Sequence, residues 1–174
     1  MTAGRNVNTK SVHWGTPENY IDKIRKFMGV IELDPCSNEF SKVGANINYA
    51  LPTDGLKESW EYKTIFVNPP YGRDSARKTS IKDWMSKCYQ ASLRGSEVIT
   101  LVPVATNTTH WKEFVFGKAS SVCFLKDSRV KFLENGMTTG KGAPMACCLI
   151  YYGNNSDHFK FIFNDLGYCV KVKG

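Results

Sequence analysis

Apolar residues follow two rhythms along this chain, and the alternation between them predicts an α/β fold. Tyr20, Ile21, Ile24, Phe27 and Met28 recur at helical spacing, with Thr16 placed as N-cap, Pro17 in the first turn and Gly29 at the end. Val30–Asp34 reads as a first central strand and Ala45–Ala50 as a second. The residues between them are too few for a normal helical crossover, so the fold is expected to be trimmed there. Thr64–Val67 is a short buried strand. Ser80 then caps a helix that buries Ile81, Trp84, Met85, Cys88, Tyr89 and Leu93 and stops near Gly95. Glu97–Val104 and Ser121–Leu125 follow as strands, with Thr106–Trp111 as a polar loop after the first. Arg129–Leu133 and Ala146–Tyr152 read as a closing hairpin around a glycine-rich loop, Glu134–Pro144, whose Lys141 is a candidate phosphate contact. Phe159–Phe163 and Tyr168–Val172 read as terminal edge strands, the last flanked by Lys171 and Lys173.

The strand at Thr64–Val67 ends abruptly in Asn68-Pro69-Pro70-Tyr71. Two successive prolines donate no backbone hydrogen bond and bias their predecessors toward extended geometry, so the chain leaves the sheet stiffly with its carbonyls turned outward. An asparagine amide oxygen and a proline carbonyl held side by side suit a site that accepts protons from an amine. Tyr71 adds a flat ring to the same place. As a structural element alone, Asn-Pro-Pro-Tyr is a rigid loop after a strand.

Composition narrows the partner more than the chemistry. A length of 174 residues suits one domain, with the polar, aperiodic residues 1–12 as a tail and structure beginning near His13, giving a domain over 13–174. The net charge of +7 favours a polyanion, because lysine and arginine displace counterions from phosphates. Met1–Lys10 is polar and no apolar run reaches a membrane span, so a cytoplasmic location is expected. Cys36, Cys88, Cys123, Cys147, Cys148 and Cys169 contain no C-x-x-C pair, so neither a metal site nor a disulfide framework is expected. Cys147 and Cys148, adjacent in a strand, should point to opposite faces.

Asn68 to Tyr71 resembles the catalytic motif of S-adenosylmethionine-dependent amino methyltransferases. It is preceded, in order, by Trp14-Gly15-Thr16-Pro17, Asp34-Pro35-Cys36-Ser37 and Asp54-Gly55-Leu56. Together these motifs resemble compact phage and bacterial DNA N6-adenine methyltransferases of the Dam type, over about Val12 to Gly153. The resemblance implies a single trimmed Rossmann-like α/β domain, with a mostly parallel sheet and an antiparallel edge hairpin. It implies S-adenosylmethionine as cofactor and duplex DNA as partner. Trp14, Thr16 and Pro17 would lie beside the cofactor, with Asp34, Pro35 and Cys36 at its methionine end and Asp54 facing its adenine amino group. Asn68 and Pro69, followed by Pro70, would orient the target amine of an extruded adenine, with Tyr71 stacked on the base.

Two departures accompany the resemblance. The usual glycine-rich loop after the first strand is absent, Ser37-Asn38-Glu39-Phe40 standing there instead, and no acidic residue ends the second strand to hold a ribose. Those departures are what a catalytically inactive DNA-binding module of the same fold would show, and Asn-Pro-Pro-Tyr also occurs in enzymes acting on RNA bases or protein glutamine. Asp34 and Asp54 have simpler readings as a loop carboxylate and a turn or cap residue. Gly72–Ser80 reads as a mobile basic loop beside the site, with Arg73, Arg77 and Lys78 the candidate DNA contacts, or as an ordinary solvated loop. His110 reads as a structural or DNA-contacting histidine, since the amine needs no general base. Monomer and homodimer are both open, because so small a reader either recognises a short site or needs a second copy.

Overall fold

The computed structural model describes residues 14–127 and 129–172. The expected tail over 1–12 and the expected start at His13 lie outside the described residues, as does Lys173. The elements, in chain order, are β1 (Trp14–Gly15), α1 (Glu18–Met28), β2 (Leu33–Asp34), β3 (Ile47–Asn48) and β4 (Thr64–Val67). Then come α2 (Ile81–Leu93), β5 (Glu97–Pro103), α3 (Thr109–Phe114), β6 (Ser121–Leu125) and β7 (Leu133–Glu134). The chain closes with β8 (Met137–Thr138), β9 (Cys147–Tyr152), α4 (Ser156–Phe163) and β10 (Gly167–Lys171).

Seven strands form one sheet in the order β10-β6-β9-β5-β4-β2-β3, and β1, β7 and β8 form a separate small one. Strands β3, β2, β4 and β5 run parallel. β9 enters antiparallel between β5 and β6, and β10 closes the edge antiparallel to β6. The mixed α/β architecture and the trimmed β2–β3 connection, residues 35–46 without a helix, agree with the sequence.

The sheet is apolar on both faces, as a sheet covered twice must be. Successive residues of β9 divide between two cores: Cys147, Leu149 and Tyr151 pack with Ile21, Ile24 and Phe27 of α1 and Phe159 and Phe163 of α4. Cys148, Ile150 and Tyr152 face Trp84, Met85 and Cys88 of α2 and Trp111 of α3. The adjacent cysteines thus point to opposite faces, as the two-residue period requires.

Several expected elements differ. Phe159–Phe163 is not an edge strand: it belongs to α4, which buries Phe159, Ile162 and Phe163 at helical spacing. Arg129–Leu133 does not pair with β9. Only Leu133 enters a strand, β7, which pairs with β1 and β8, while β9 takes the better-bonded place between β5 and β6. Thr106–Trp111 is not wholly loop, since α3 begins at Thr109 and Trp111 is buried with its indole N–H on the Pro103 carbonyl, 3.2 Å away. On α2 the buried stripe uses Ala91 in place of Leu93, which is exposed. The helix starts as expected at Ser80, whose N–H donates to the Asp83 carboxylate at 2.8 Å.

Candidate active site

The chain moves from β2 to β3 on one side, then returns to β4 on the other side of β2. Parallel sheets open a crevice at such a reversal, outside the carboxyl ends of the two strands. Asp34 ends β2 and Asn68 follows β4, so the two motifs flank the same opening. The loops lie close: the Asn68 backbone N–H partly offsets the burial and the neighbouring Asp34 charge that push the Cys36 thiol up.

Asp34 is buried, 3% exposed. Its carboxylate accepts from the Cys36 N–H at 3.2 Å and the Ser41 hydroxyl at 3.3 Å. No ion pair among the described residues includes it. Desolvation is the dominant effect and outweighs those hydrogen bonds, pushing the group up to about 6. A solvated loop carboxylate is therefore the wrong description. It is a buried, hydrogen-bonded carboxyl that has no ion-pair partner among the described residues.

The turn after β3 closes on this loop. Gly55 sits so tightly against the Pro35 carbonyl that an added Cβ would overlap that oxygen. Its neighbour Asp54 uses Oδ1 to accept the Leu56 N–H at 3.1 Å and has the exposed Lys57 ammonium 3.9 Å from Oδ2. The turn-forming role of Asp54 is real, and it leaves carboxylate lone pairs over. A residue from the opposite side of the sequence fixes the turn. The Lys87 ammonium donates to the carbonyls of Leu56 and Glu58, each at 2.6 Å, and of Gly55 at 3.4 Å, and lies 5.2 Å over the Trp60 ring. Lys87 was not legible as a site residue, because three carbonyls converge on it only after α2 docks. At the end of β3, Asn48 accepts from the Ser37 hydroxyl at 3.1 Å, in the position where no acidic residue was found.

On the β4 side, Pro69 is buried and Pro70 exposed. Among the described residues nothing donates to the Pro69 carbonyl. Tyr71 is half-buried and turned inward, its hydroxyl donating to the Leu101 carbonyl at 3.1 Å, with Asn68 Oδ1 more distant at 3.4 Å. Burial pushes the phenol well above its usual range. Its ring meets Phe132 edge-on at 5.8 Å, and Phe132 in turn packs on Trp14 at 5.6 Å.

Thr16 does not cap α1. Pro17 is the N-cap residue, with no side-chain bond, and its carbonyl receives the N–H groups of Tyr20 and Ile21. The Thr16 hydroxyl instead accepts from Asn68 Nδ2 at 3.1 Å. A polar side chain beside a helix start is as readily claimed by a distant amide as by the helix.

The segment Gly72–Ser80 is folded on itself. Asp74 and Thr79 exchange backbone hydrogen bonds of 2.9 and 3.1 Å, and the Asp74 carboxylate holds the Ala76 and Arg77 N–H groups. Arg77 pairs with Asp74 at 2.7 Å, so part of its charge is spent inside the loop. Arg73 and Lys78 are exposed, and no ion pair among the described residues includes them. His110 is half-buried near the Thr108 hydroxyl at 3.3 Å, and burial, then Lys82, lowers its proton affinity.

A hairpin beside the site was missed in the sequence. β7 and β8 are joined by Asn135 and Gly136, both at positive φ. Asn-Gly between strands is a strong hairpin signal, hidden here by strands only two residues long. No helix among the described residues is long and apolar enough to cross a membrane.

The family model for DNA N-6-adenine-methyltransferase (Dam) matches residues 5–162, most of the chain. No curated protein and no solved structure matches.

Proposed function

We propose, for a chain that belongs to the DNA N-6-adenine-methyltransferase (Dam) family, that it methylates adenine N6 in duplex DNA using S-adenosylmethionine and an extruded target base. The observation that carries this reading is the buried Asp34 carboxylate, hydrogen-bonded but in no ion pair among the described residues, at the same strand-end crevice as Asn68 Oδ1, which has only the long 3.4 Å contact from the Tyr71 hydroxyl, and the Pro69 carbonyl. S-adenosylmethionine, when bound, supplies a methyl group on a cationic sulfur that departs as a neutral thioether.

The residues present fit that cofactor. Asp34 answers its positively charged methionine end, with Pro35 and Cys36 shaping the wall. Asp54 faces the adenine amino group, and Trp14, Thr16 and Pro17 close the opposite side. Asn68 Oδ1 and the Pro69 carbonyl each accept one N–H of the substrate amine. This draws the nitrogen toward tetrahedral geometry and frees a lone pair otherwise delocalised into the ring. The proton lost after transfer passes to water, so His110 is not required. Pro70 keeps the turn rigid, and Tyr71 offers its ring to the extruded base, at the unstacking cost that such enzymes meet. Arg73 and Lys78 contact phosphate, with Arg77 contributing less while paired to Asp74. Residues 13–174 act as one methyltransferase domain, working on DNA in a bacterial or phage-infected cytoplasm.

Transfer of labelled methyl to unmethylated duplex DNA, followed by digestion to nucleosides, tests this. N6-methyladenine is expected, and Asn68→Ala should cut its formation to a small residual rate while cofactor still binds. Cofactor binding without labelled DNA would refute the substrate, and absence of cofactor binding would refute the enzyme.

A further inference from the structure

An asparagine can orient an amine only if its amide oxygen, and not its nitrogen, faces the substrate. The two orientations have nearly the same shape, so something must choose between them. In this site the choice is made by the N-terminal segment. Asn68 Nδ2 donates to the Thr16 hydroxyl at 3.1 Å and points its second proton toward the Trp14 carbonyl at 3.5 Å. A carbonyl can only accept, so the nitrogen must be the atom on that side. Oδ1 is left facing the other way, where it has a 3.4 Å contact from the Tyr71 hydroxyl, whose shorter bond, 3.1 Å, goes to the Leu101 carbonyl.

Thr16 is 2% exposed, and its hydroxyl makes no side-chain cap on α1. A buried hydroxyl costs free energy unless it is partnered, and here the Asn68 amide is the partner. β1 is itself held by β7, with Trp14 opposite Glu134 and Gly15 opposite Leu133, so the Trp14 carbonyl arrives on a strand and Thr16 directly follows it.

We propose that Thr16 is the positioning residue that, with the acceptor-only Trp14 carbonyl setting which end of the amide faces it, holds the Asn68 amide with its oxygen toward the substrate amine. This rests on the methyltransferase reading above and gives Thr16 a role distinct from a cofactor contact. Without the hydroxyl the amide turns more freely, and in the turned state an NH2 group meets the substrate NH2, donor against donor.

Thr16→Val keeps the shape and removes the hydrogen bond. It should lower kcat about fivefold, the worth of a bond of about 1 kcal/mol, a larger change than any rise in the cofactor Kd, with the KM for DNA changed less than about twofold. Thr16→Ser should recover most of the loss. In an Asn68→Ala background, Thr16→Val should have no further effect on residual turnover, because the amide it acts through is gone. A raised cofactor Kd at unchanged kcat, or a full additional loss in the Asn68→Ala background, would overturn the proposal. The hydrogen bond is also read without activity. The Asn68 side-chain NH2 resonances, assigned by their loss in Asn68→Ala, should shift in Thr16→Val and return in Thr16→Ser. If wild type proves inactive on DNA, the functional reading fails by itself. The NMR comparison then decides whether Thr16 holds the amide, and unmoved resonances would refute it.

Discussion

Replacing Asp34 by asparagine removes a charge while keeping the size of the side chain and its capacity to accept from the Cys36 N–H. Burial lifts the carboxyl from 3.8 to about 6. The folded protein therefore binds this proton more tightly than the unfolded chain does. The sign is opposite to that of a salt-bridged carboxylate: the stabilising contribution is full below the unfolded value near 3.8 and is lost as pH rises through about 6. Above that window the ionised group costs the apo protein about 3 kcal/mol, at 1.36 kcal/mol per unit. Asp34→Asn should thus be more stable than wild type at pH 7.5 by up to about 3 kcal/mol, a rise in Tm of roughly 6–12 °C for a chain of this length. At pH 4.5 the difference should shrink to about 1 kcal/mol. Urea denaturation at the two pH values measures it. The same variant should lose cofactor affinity, since it cannot answer a cation. Wild-type affinity should weaken below pH 6, as Asp34 protonates, toward tenfold per pH unit. A variant no more stable than wild type at pH 7.5, or a gain independent of pH, would refute the claim that Asp34 is a desolvated charge awaiting a cationic ligand.

Other perturbations test the rest of the crevice. Gly55→Ala places a methyl group on the Pro35 carbonyl oxygen, so the turn must move; a loss of about 3 kcal/mol in stability and of most cofactor affinity is expected by denaturation and calorimetry. Lys87→Met leaves the Leu56 and Glu58 carbonyls without their donor and should cost about 2–4 kcal/mol, with a weaker cofactor Kd through the displaced Asp54 turn. Arg73→Ala and Lys78→Ala should each weaken DNA binding and lower the salt-dependence slope by about one. Arg77→Ala should do less, because Asp74 already neutralises it in the free protein; equal effects in a salt titration would contradict that.

What was legible in the sequence was local. Side-chain period identified α1, α2, β5 and β6, because a face that must be buried repeats at 3.6 or 2 residues whatever it packs against. The stiff exit at Asn68-Pro69-Pro70 followed from proline itself, which carries no donor and has a fixed φ. Phe159–Phe163 was ambiguous for a physical reason. Phe159, Phe161 and Phe163 alternate as a strand would, while Phe159, Ile162 and Phe163 lie on one helical face. The choice fell to the sheet face beneath α4, which buries the second set and leaves Phe161 exposed.

Tertiary structure decided which partner each polar group received. Sequence placed Asp34, Asp54, Asn68 and Thr16 in separate motifs; the reversal of strand order around β2 brought the first and third to one crevice, and the Gly55–Pro35 contact drew the second against them. Thr16 carried every local mark of a helix cap, yet its hydroxyl went to an amide 52 residues away. Hydrogen-bond capacity is written in residue type, but satisfaction depends on burial and on what arrives within about 3 Å. The depth that lifts the proton affinity of Asp34 likewise exists only once β3 and β4 flank β2 and the turn at Gly55 closes over the Pro35 carbonyl.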